Sequence, residues 1–529
     1  MKAIALLSLA ILAAAPPPVV ATVIHVNQNG GDFTTISEGI DAAHMGDTVL
    51  VWPGIYTGPD NRGLDFRGVE MVVRAHGGPG AVTIDCERED RAFYLHMWED
   101  TTSVIEGFTI ARGLADCGGA IRCYHADVKL VNLTLVENRA LVNGGAVHLE
   151  YSGSIIRDVT FIENWAGRRG GSISMHRSSP VVSDVGFKGN VARVGGGALH
   201  MSRSTPVFRD CRFYSNGAPV GVGGVGCDIL GSPQFVSCLF HRSAARDLGG
   251  AFFLEGTSPR FVDCRFYENE AREGGALKLM QCGARFDACE FVGNVATYEG
   301  GGVHAELTGS VELYGCTLDR NVSGVGGGLR IEESSLTLGC CAFLDNEASL
   351  AGGAVSCWST AEAAIEGCTF SVNDAGYLGG AIYATGDAVV QIMGSTFAEN
   401  AAAMGGGVAC GGSAVAIVTQ TIVAFSSEGD AVHCEEEGSA VLACCDLYGN
   451  AGGDWVGRIA SQYWGAGNAC EDPLFCRDDH PEEPYTLRED SCCAPENNPA
   501  CGPIGAWGVA CSGTAVEPAS WGAIKARFR

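Results

Sequence analysis

The chain has 529 residues, 75 of them glycine, and a formal net charge of −27. Such acidity excludes nucleic acid as a partner, because a phosphate backbone would be repelled. The glycines lack a three-residue period, which excludes collagen, and 46% hydrophobic residues exclude a disordered chain.

Residues 1–21 read as a signal peptide. Lys2 supplies the positive end, residues 3–15 are apolar, Pro16 to Pro18 end any helix, and Val19-Val20-Ala21 offers a cleavage site before Thr22. The apolar run is too short to span a bilayer, and no other stretch could cross one as a helix. The mature protein is therefore expected outside the cytoplasm: extracellular, on the cell surface or periplasmic.

Residues 22–117 are predicted to form an N-terminal cap and the first coils. Thr35-Ile36-Ser37-Glu38 has the pattern of a capping box. It opens a short helix with Ile36, Ile40 and Ala43 on one face, stopped by Gly46. A strand over residues 48–52 and a turn at Pro53-Gly54 follow.

Residues 118–430 carry a repeat. Gly144-Gly145-Ala146-Val147 is followed by Phe161 and Asn164, Gly170-Gly171-Ser172-Ile173 by Phe187 and Asn190, and Gly196-Gly197-Ala198-Leu199 by Phe213 and Asn216. The Asn recurs at 138, 164, 190, 216, 269, 294, 321, 346, 373 and 400, with Ser243 filling the gap. A period of about 26 residues belongs to a solenoid. Residues 196–222 divide into three short strands and three corners, which is one coil of a parallel β-helix, right-handed by the rule for parallel crossovers. Stacked coils would set Val147, Ile173, Leu199, Leu277, Val303 and Leu329 in one interior column and the Phe residues in another. The Asn is expected at a left-handed corner, bonded to its copies. The predicted class is all-β: a right-handed parallel β-helix with a short N-terminal capping helix and a cysteine-rich C-terminal cap.

The 24 cysteines fall into two populations. Cys211, Cys238, Cys264, Cys289, Cys316, Cys341 and Cys368 are periodic and read as a buried column of free thiols. Residues 431–513 are expected to hold C-terminal coils and a cysteine-rich cap; Cys470, Cys476, Cys492, Cys493, Cys501 and Cys511 crowd its repeat-free end and read as a disulfide framework, with zinc the weaker reading. The tail, residues 514–529, ends in a basic and aromatic decapeptide, a docking or sorting segment or a frayed end.

Residues 118 to about 410 resemble the polymorphic outer-membrane-protein repeat, whose marks are Gly-Gly-Ala-Ile and Phe-x-x-Asn. Residues 46–56, Gly-Asp-Thr-Val-Leu-Val-Trp-Pro-Gly-Ile-Tyr, are similar to the start of pectate-lyase-like β-helix proteins, as are Asp472-Pro473-Leu474-Phe475 and Gly502-Pro503-Ile504-Gly505-Ala506 to their closing motifs. The resemblance implies the fold and leaves open whether the chain is a lyase, a hydrolase, an adhesin or a stalk. No alternating barrel strands follow the last repeat. The polygalacturonase marks Asn-Thr-Asp and Gly-His-Gly are missing, and the one adjacent Asp pair, Asp478-Asp479, lies in the tail.

Two columns carry candidate chemistry. The residue after each interior aliphatic is Arg122, His148, Ser174, His200, Phe253, Lys278, His304, Arg330, Ser356 or Tyr383, with Glu150, Glu255, Glu306 and Glu332 two positions on. Lys278, His304, Glu306, Arg330 and Glu332 would meet on one flat outward face. That face would either grip the carboxylates or sulfates of an acidic sugar or be a solvated face with cross-strand ion pairs. Asp158, Asp184, Asp210 and Asp263 form the other column, either a calcium ladder or a set of turn caps. The reading is a monomeric, exported recognition, adhesion or structural protein that binds polysaccharide or a cell-surface component. It needs no cofactor beyond calcium. A polysaccharide lyase or hydrolase acting on acidic glycans is the alternative.

Overall fold

The computed structural model describes residues 21–228, 231–307, 309–435, 437–476 and 483–510. The signal sequence through residue 20, Asp478-Asp479, Cys511 and the terminal decapeptide lie outside these residues.

The chain is a right-handed parallel β-helix built of four sheets with 17, 14, 16 and 12 strands. A full coil supplies one strand to each, and the terminal coils supply fewer. One coil runs through Val147–Glu150, Ile155–Arg157, Thr160–Ile162 and Trp165–Ala166, and every strand pairs in parallel with its copy one coil away. Three strands per coil were predicted. The fourth sheet was hidden because the segment read as a return loop pairs with its copies through as few as two residues, as in Val191–Ala192.

Corner chemistry explains the repeat. Left-handed residues end three strands of each coil, as at Tyr151, Asp158 and Glu163 with φ of 54°, 55° and 51°. The fourth corner is the Gly-Gly pair. Gly144 has φ of 66°, and a Cβ on Gly145 would lie 2.0 Å from the carbonyl oxygen of Gly171, so neither position admits a side chain cheaply.

The Asn is not the left-handed residue. That role falls to the residue before it, and the turn aims the amide inward. There Asn Nδ2 donates to the next Asn Oδ1, as from Asn269 to Asn294 at 2.9 Å and from Asn294 to Asn321 at 2.9 Å. Each Oδ1 also accepts the backbone N–H of the Asn below, and each Nδ2 also donates to a carbonyl oxygen, Phe266 in the case of Asn294. The ladder is buried and its amides are satisfied from within.

Apolar columns fill the rest. Phe161, Phe187, Phe213, Phe240, Phe266 and Phe291 stack at centroid distances of 5.0, 4.5, 4.6, 5.1 and 4.7 Å. The expected vertical Phe column is present. The seven periodic cysteines are free and buried. The helix Ile36–Ala42 closes the first coil, with the capping box formed by Thr35 and Glu38 in place and Ile36 and Ile40 buried.

The C-terminal cysteines depart from expectation. Cys501 pairs with Cys444, which belongs to the coils, and Cys476 is also disulfide-bonded, whereas Cys470, Cys492 and Cys493 are free. The bond to Cys444 ties the cap to the solenoid instead of cross-linking the cap to itself.

The ladder makes two stability predictions. Asn294→Ala strands the N–H of Asn269 and the carbonyl of Phe266 and should cost on the order of 3 kcal/mol, since each buried unpaired group costs about 1–3 kcal/mol. Ser243→Asn should instead extend the ladder and gain about 1 kcal/mol. Denaturant midpoints of the two variants check both signs.

Candidate functional site

Alternation along the 14-stranded sheet turns Lys278, His304 and Arg330 away from the interior, in register as neighbours. They are nevertheless covered, at 1%, 1% and 4% exposure, so the expectation of a flat solvated face is corrected. The ends of the fourth strands fold back over the outer surface of this sheet. Ala351 and Leu378 from fourth strands pack there with Tyr383 and Ala409 in an apolar cluster separate from the main core.

The same fold-back brings two carboxylates that the sequence reading missed. Glu273 and Glu299 end the strands Glu270–Glu273 and Val295–Glu299, directly before Gly-Gly pairs. Lys278 Nζ donates to Glu306 at 2.7 Å, to Glu273 at 3.2 Å and to His304 Nδ1 at 3.1 Å. The other ring nitrogen, Nε2, lies 3.5 Å from Glu299. Arg330 donates to Glu332 at 2.9 Å, lies 3.2 Å from Glu299 and stacks 4.3 Å over Trp358. Its Nη1 finds no acceptor among the described residues. All five predicted residues are thus brought together, with Glu273, Glu299 and Trp358 added.

Two cations face four glutamates here. Burial, then Lys278 and Arg330, holds the His304 imidazole well below its ordinary pKa, so it is neutral. Burial pushes the Glu299 carboxyl up, against the pull of Arg330. Glu273, Glu299 and His304 lie close enough to share a metal ion. The ammonium of Lys278, in contact with two of the three, already supplies a positive charge there.

The outer surface is open where the fourth strands shrink. Trp165–Ala166, Val191–Ala192, Gly217–Ala218 and Ala244–Ala245 are two residues each. Over these coils lie two cavities of about 320 and 280 Å³ that share Arg169 and His200 and form one groove. His148, Ser174, His200 and Phe253 floor it, and Glu150, His176 and Glu255 edge it.

The charge of this region opposes that of the whole. Residues 151–215 carry nine arginines or lysines against four carboxylates, a local +5 in a chain of −27. Arg168 and Arg193 are exposed beside the fourth strands, and Arg177 and Arg203 are exposed at the corner after the 14-stranded sheet. That corner also carries an aromatic stack: Trp98, 76% exposed, lies 4.8 Å from His125, which stacks 4.5 Å from Tyr151. Arg177 caps the stack and donates to the Tyr151 hydroxyl at 2.7 Å. Reading the period at this offset, 125, 151, 177 and 203, would have found the column.

Asp158, Asp184, Asp210 and Asp263 are left-handed corner residues on another edge. Among the described residues, two groups hold three or more metal-capable atoms within 4.8 Å of one another, and neither includes these aspartates.

Residues 94–318 match the family described as the right handed beta helix region. A search of curated proteins returns no match. Among solved structures, the chain is similar to the mannuronan C-5 epimerase AlgE6 A-module of Azotobacter vinelandii, with 14% identity, a TM-score of 0.33, and coverage of 78% of this chain and 93% of that one. It is also similar to the AlgE4 A-module of the same organism, with 13% identity, a TM-score of 0.31 and coverage of 68% and 92%. Pectate lyase Pel9A follows, with 10% identity, a TM-score of 0.25 and coverage of 92% and 96%. These likenesses assign no chemistry to this chain. No helix among the described residues is long and apolar enough to cross a membrane.

Burial, then Arg122 and Arg91, lowers the groove-floor His148 from 6.5 to about 4. A depressed folded pKa means that the unfolded chain takes up the proton first as pH falls. His148 should therefore withdraw on the order of 3 kcal/mol of stability between pH 6.5 and 4. Denaturation at pH 7 and pH 4.5 should show a smaller acid loss in His148→Gln than in the parent.

Proposed function

We propose that the protein is an exported or cell-surface recognition protein that holds an acidic polysaccharide in the open groove and does not cleave it. The observation that carries this reading is the set of exposed arginines, Arg168, Arg177, Arg193 and Arg203, beside a groove on an acidic protein. Cations on both rims would grip carboxylate or sulfate groups, and arginine suits such planar anions. The overall negative charge would repel the same ligand elsewhere and confine binding to this stretch. Four strand spacings, about 19 Å, separate the first and last floor residues, room for several sugar rings laid along the axis. The exposed Trp98 offers a flat apolar face beside the rim. His148 Nδ1, buried in the floor with no hydrogen-bond partner among the described residues, offers a polar contact.

In this reading Lys278, His304, Glu306, Arg330 and Glu332 continue the same floor under a closed wall. Their charges are compensated within the protein, so the column does not grip a ligand while the wall is shut. A calcium role for Asp158, Asp184 and Asp210 would be accessory, on a different edge.

One observation favours the enzymatic alternative, a lyase or hydrolase. A neutral imidazole, an ammonium, raised Glu299 and the unpartnered Arg330 Nη1 converge within the closed cluster, the set a proton abstraction beside a carboxylate would use. Release of unsaturated ends from polygalacturonate, lost in His304→Ala, would establish it over the binding reading.

The test of binding is affinity electrophoresis on polygalacturonate, chondroitin sulfate and neutral dextran. The parent should be retarded by the two polyanions, less so at high salt, and not by dextran. Combined Arg177→Ala, Arg193→Ala and Arg203→Ala should weaken retention at least tenfold, while Arg265→Ala on a distant face should not. Equal retention of parent and triple variant, or equal retention on dextran, would remove the site.

A further inference from the structure

We propose that Asp446, Cys492 and Cys493 form a binding site for one thiophilic divalent cation, zinc by preference, which fastens the C-terminal cap to the last coil. Asp446 opens Asp446–Tyr448, the last strand of the 16-stranded sheet. The two cysteines come from the cap, 46 and 47 residues later.

Geometry carries the assignment. The two Sγ atoms are 3.7 Å apart, and Asp446 Oδ2 lies 3.7 Å from Cys492 Sγ and 3.3 Å from Cys493 Sγ. A tetrahedral zinc ion has Zn–S bonds of about 2.3 Å and Zn–O bonds of about 2.0–2.2 Å, so its S–S edge is about 3.8 Å and its S–O edge about 3.5–3.7 Å. The three donors thus mark one face of a zinc-sized tetrahedron. Thiol-to-carboxylate hydrogen bonds alone would not require the sulfurs to meet each other at that edge length.

The electrostatics agree. Asp446 and Cys493 are fully buried. Asp446 makes no ion pair among the described residues; its other oxygen accepts the backbone N–H of Glu471 at 3.1 Å. A buried carboxylate without a cation is costly, and an ion would supply the missing charge. Two thiolates and a carboxylate select zinc over calcium or magnesium. Partly exposed Cys492 leaves the fourth position open towards water. A supporting shell is present. Ser491 Oγ accepts the Cys493 N–H at 3.1 Å and donates to the Pro473 carbonyl at 2.7 Å.

The position gives the site a purpose. The disulfide Cys444–Cys501 joins the same coil to the same cap segment. The ion would be a second fastener beside it, and its two thiols would each release a proton to solvent on ligation.

Cobalt(II) tests the site. Protein freed of metal by a chelator and handled without oxygen, with the Cys444–Cys501 disulfide intact, should gain a thiolate-to-cobalt charge-transfer band that saturates near one equivalent and is displaced by zinc. Cys492→Ser and Asp446→Asn should abolish the band or cut cobalt affinity at least a hundredfold, and Cys470→Ser should leave it unchanged. Far-UV circular dichroism verifies folding; if Asp446→Asn fails to fold, partly exposed Cys492→Ser decides. Absence of the band in the parent, a band unchanged in Cys492→Ser, or a Cys492–Cys493 disulfide in unreduced protein would overturn the proposal.

Discussion

In-register parallel stacking governs this molecule: along most of the solenoid the nearest neighbour of a side chain is its counterpart one coil away, about 4.8 Å distant. A residue is tolerated in the interior only if it can pack against its own kind. Phenylalanine does so face to face, as Phe187 does on Phe213 at 4.5 Å. Asparagine does so because one amide both donates and accepts, as Asn294 does with Asn269 and Asn321. A free thiol does so as a small apolar group. The same rule makes a column of like charge unstable unless something from outside the column intervenes.

The 14-stranded sheet shows how that demand is met. Lys278 and Arg330 are separated in register by the neutral His304, and the carboxylates come sideways from Glu273 and Glu299 on the fourth strands. Over coils 270–332 the fourth strands are four or five residues long, reach over the sheet and close it. Where they are two residues long, the surface is left open and arginines line its rims. The residues at the fold-back differ between the two stretches, Glu273 and Glu299 over the closed column but Gly195 and Val222 beside the groove, and they set how much of the outward face is covered. This coupling links the repeat to the proposed recognition function.

Much of this was legible in the sequence, and what was not has identifiable causes. The Gly-Gly and Phe-x-x-Asn spacing revealed the coil, its interior columns and the free thiols, because each depends on one position repeated. The capping box at Thr35 and Glu38 was local and therefore readable. The fourth sheet escaped because pieces such as Trp165–Ala166 are too short to alternate. The burial of Lys278, His304 and Arg330 escaped for a related reason: alternation reports which way a residue leaves its strand, not whether another strand then covers it. Glu273 and Glu299 sat in plain view before consecutive Gly-Gly pairs, but only the fold-back gives that offset meaning. The Cys444–Cys501 pairing could not be read, since cysteine spacing does not determine connectivity.

The central claim is that the fourth strands close the charged column over coils 270–332 and compensate it internally. Reductive methylation of the native protein, followed by peptide mass mapping, addresses this most directly. Lys188 is exposed and Lys129 partly so, whereas Lys278 is 1% exposed and held by Glu306 and Glu273. The account expects Lys188 and Lys129 to be methylated while Lys278 stays unmodified until denaturant is added. Methylation of Lys278 in the native protein at the rate of Lys188 would contradict it.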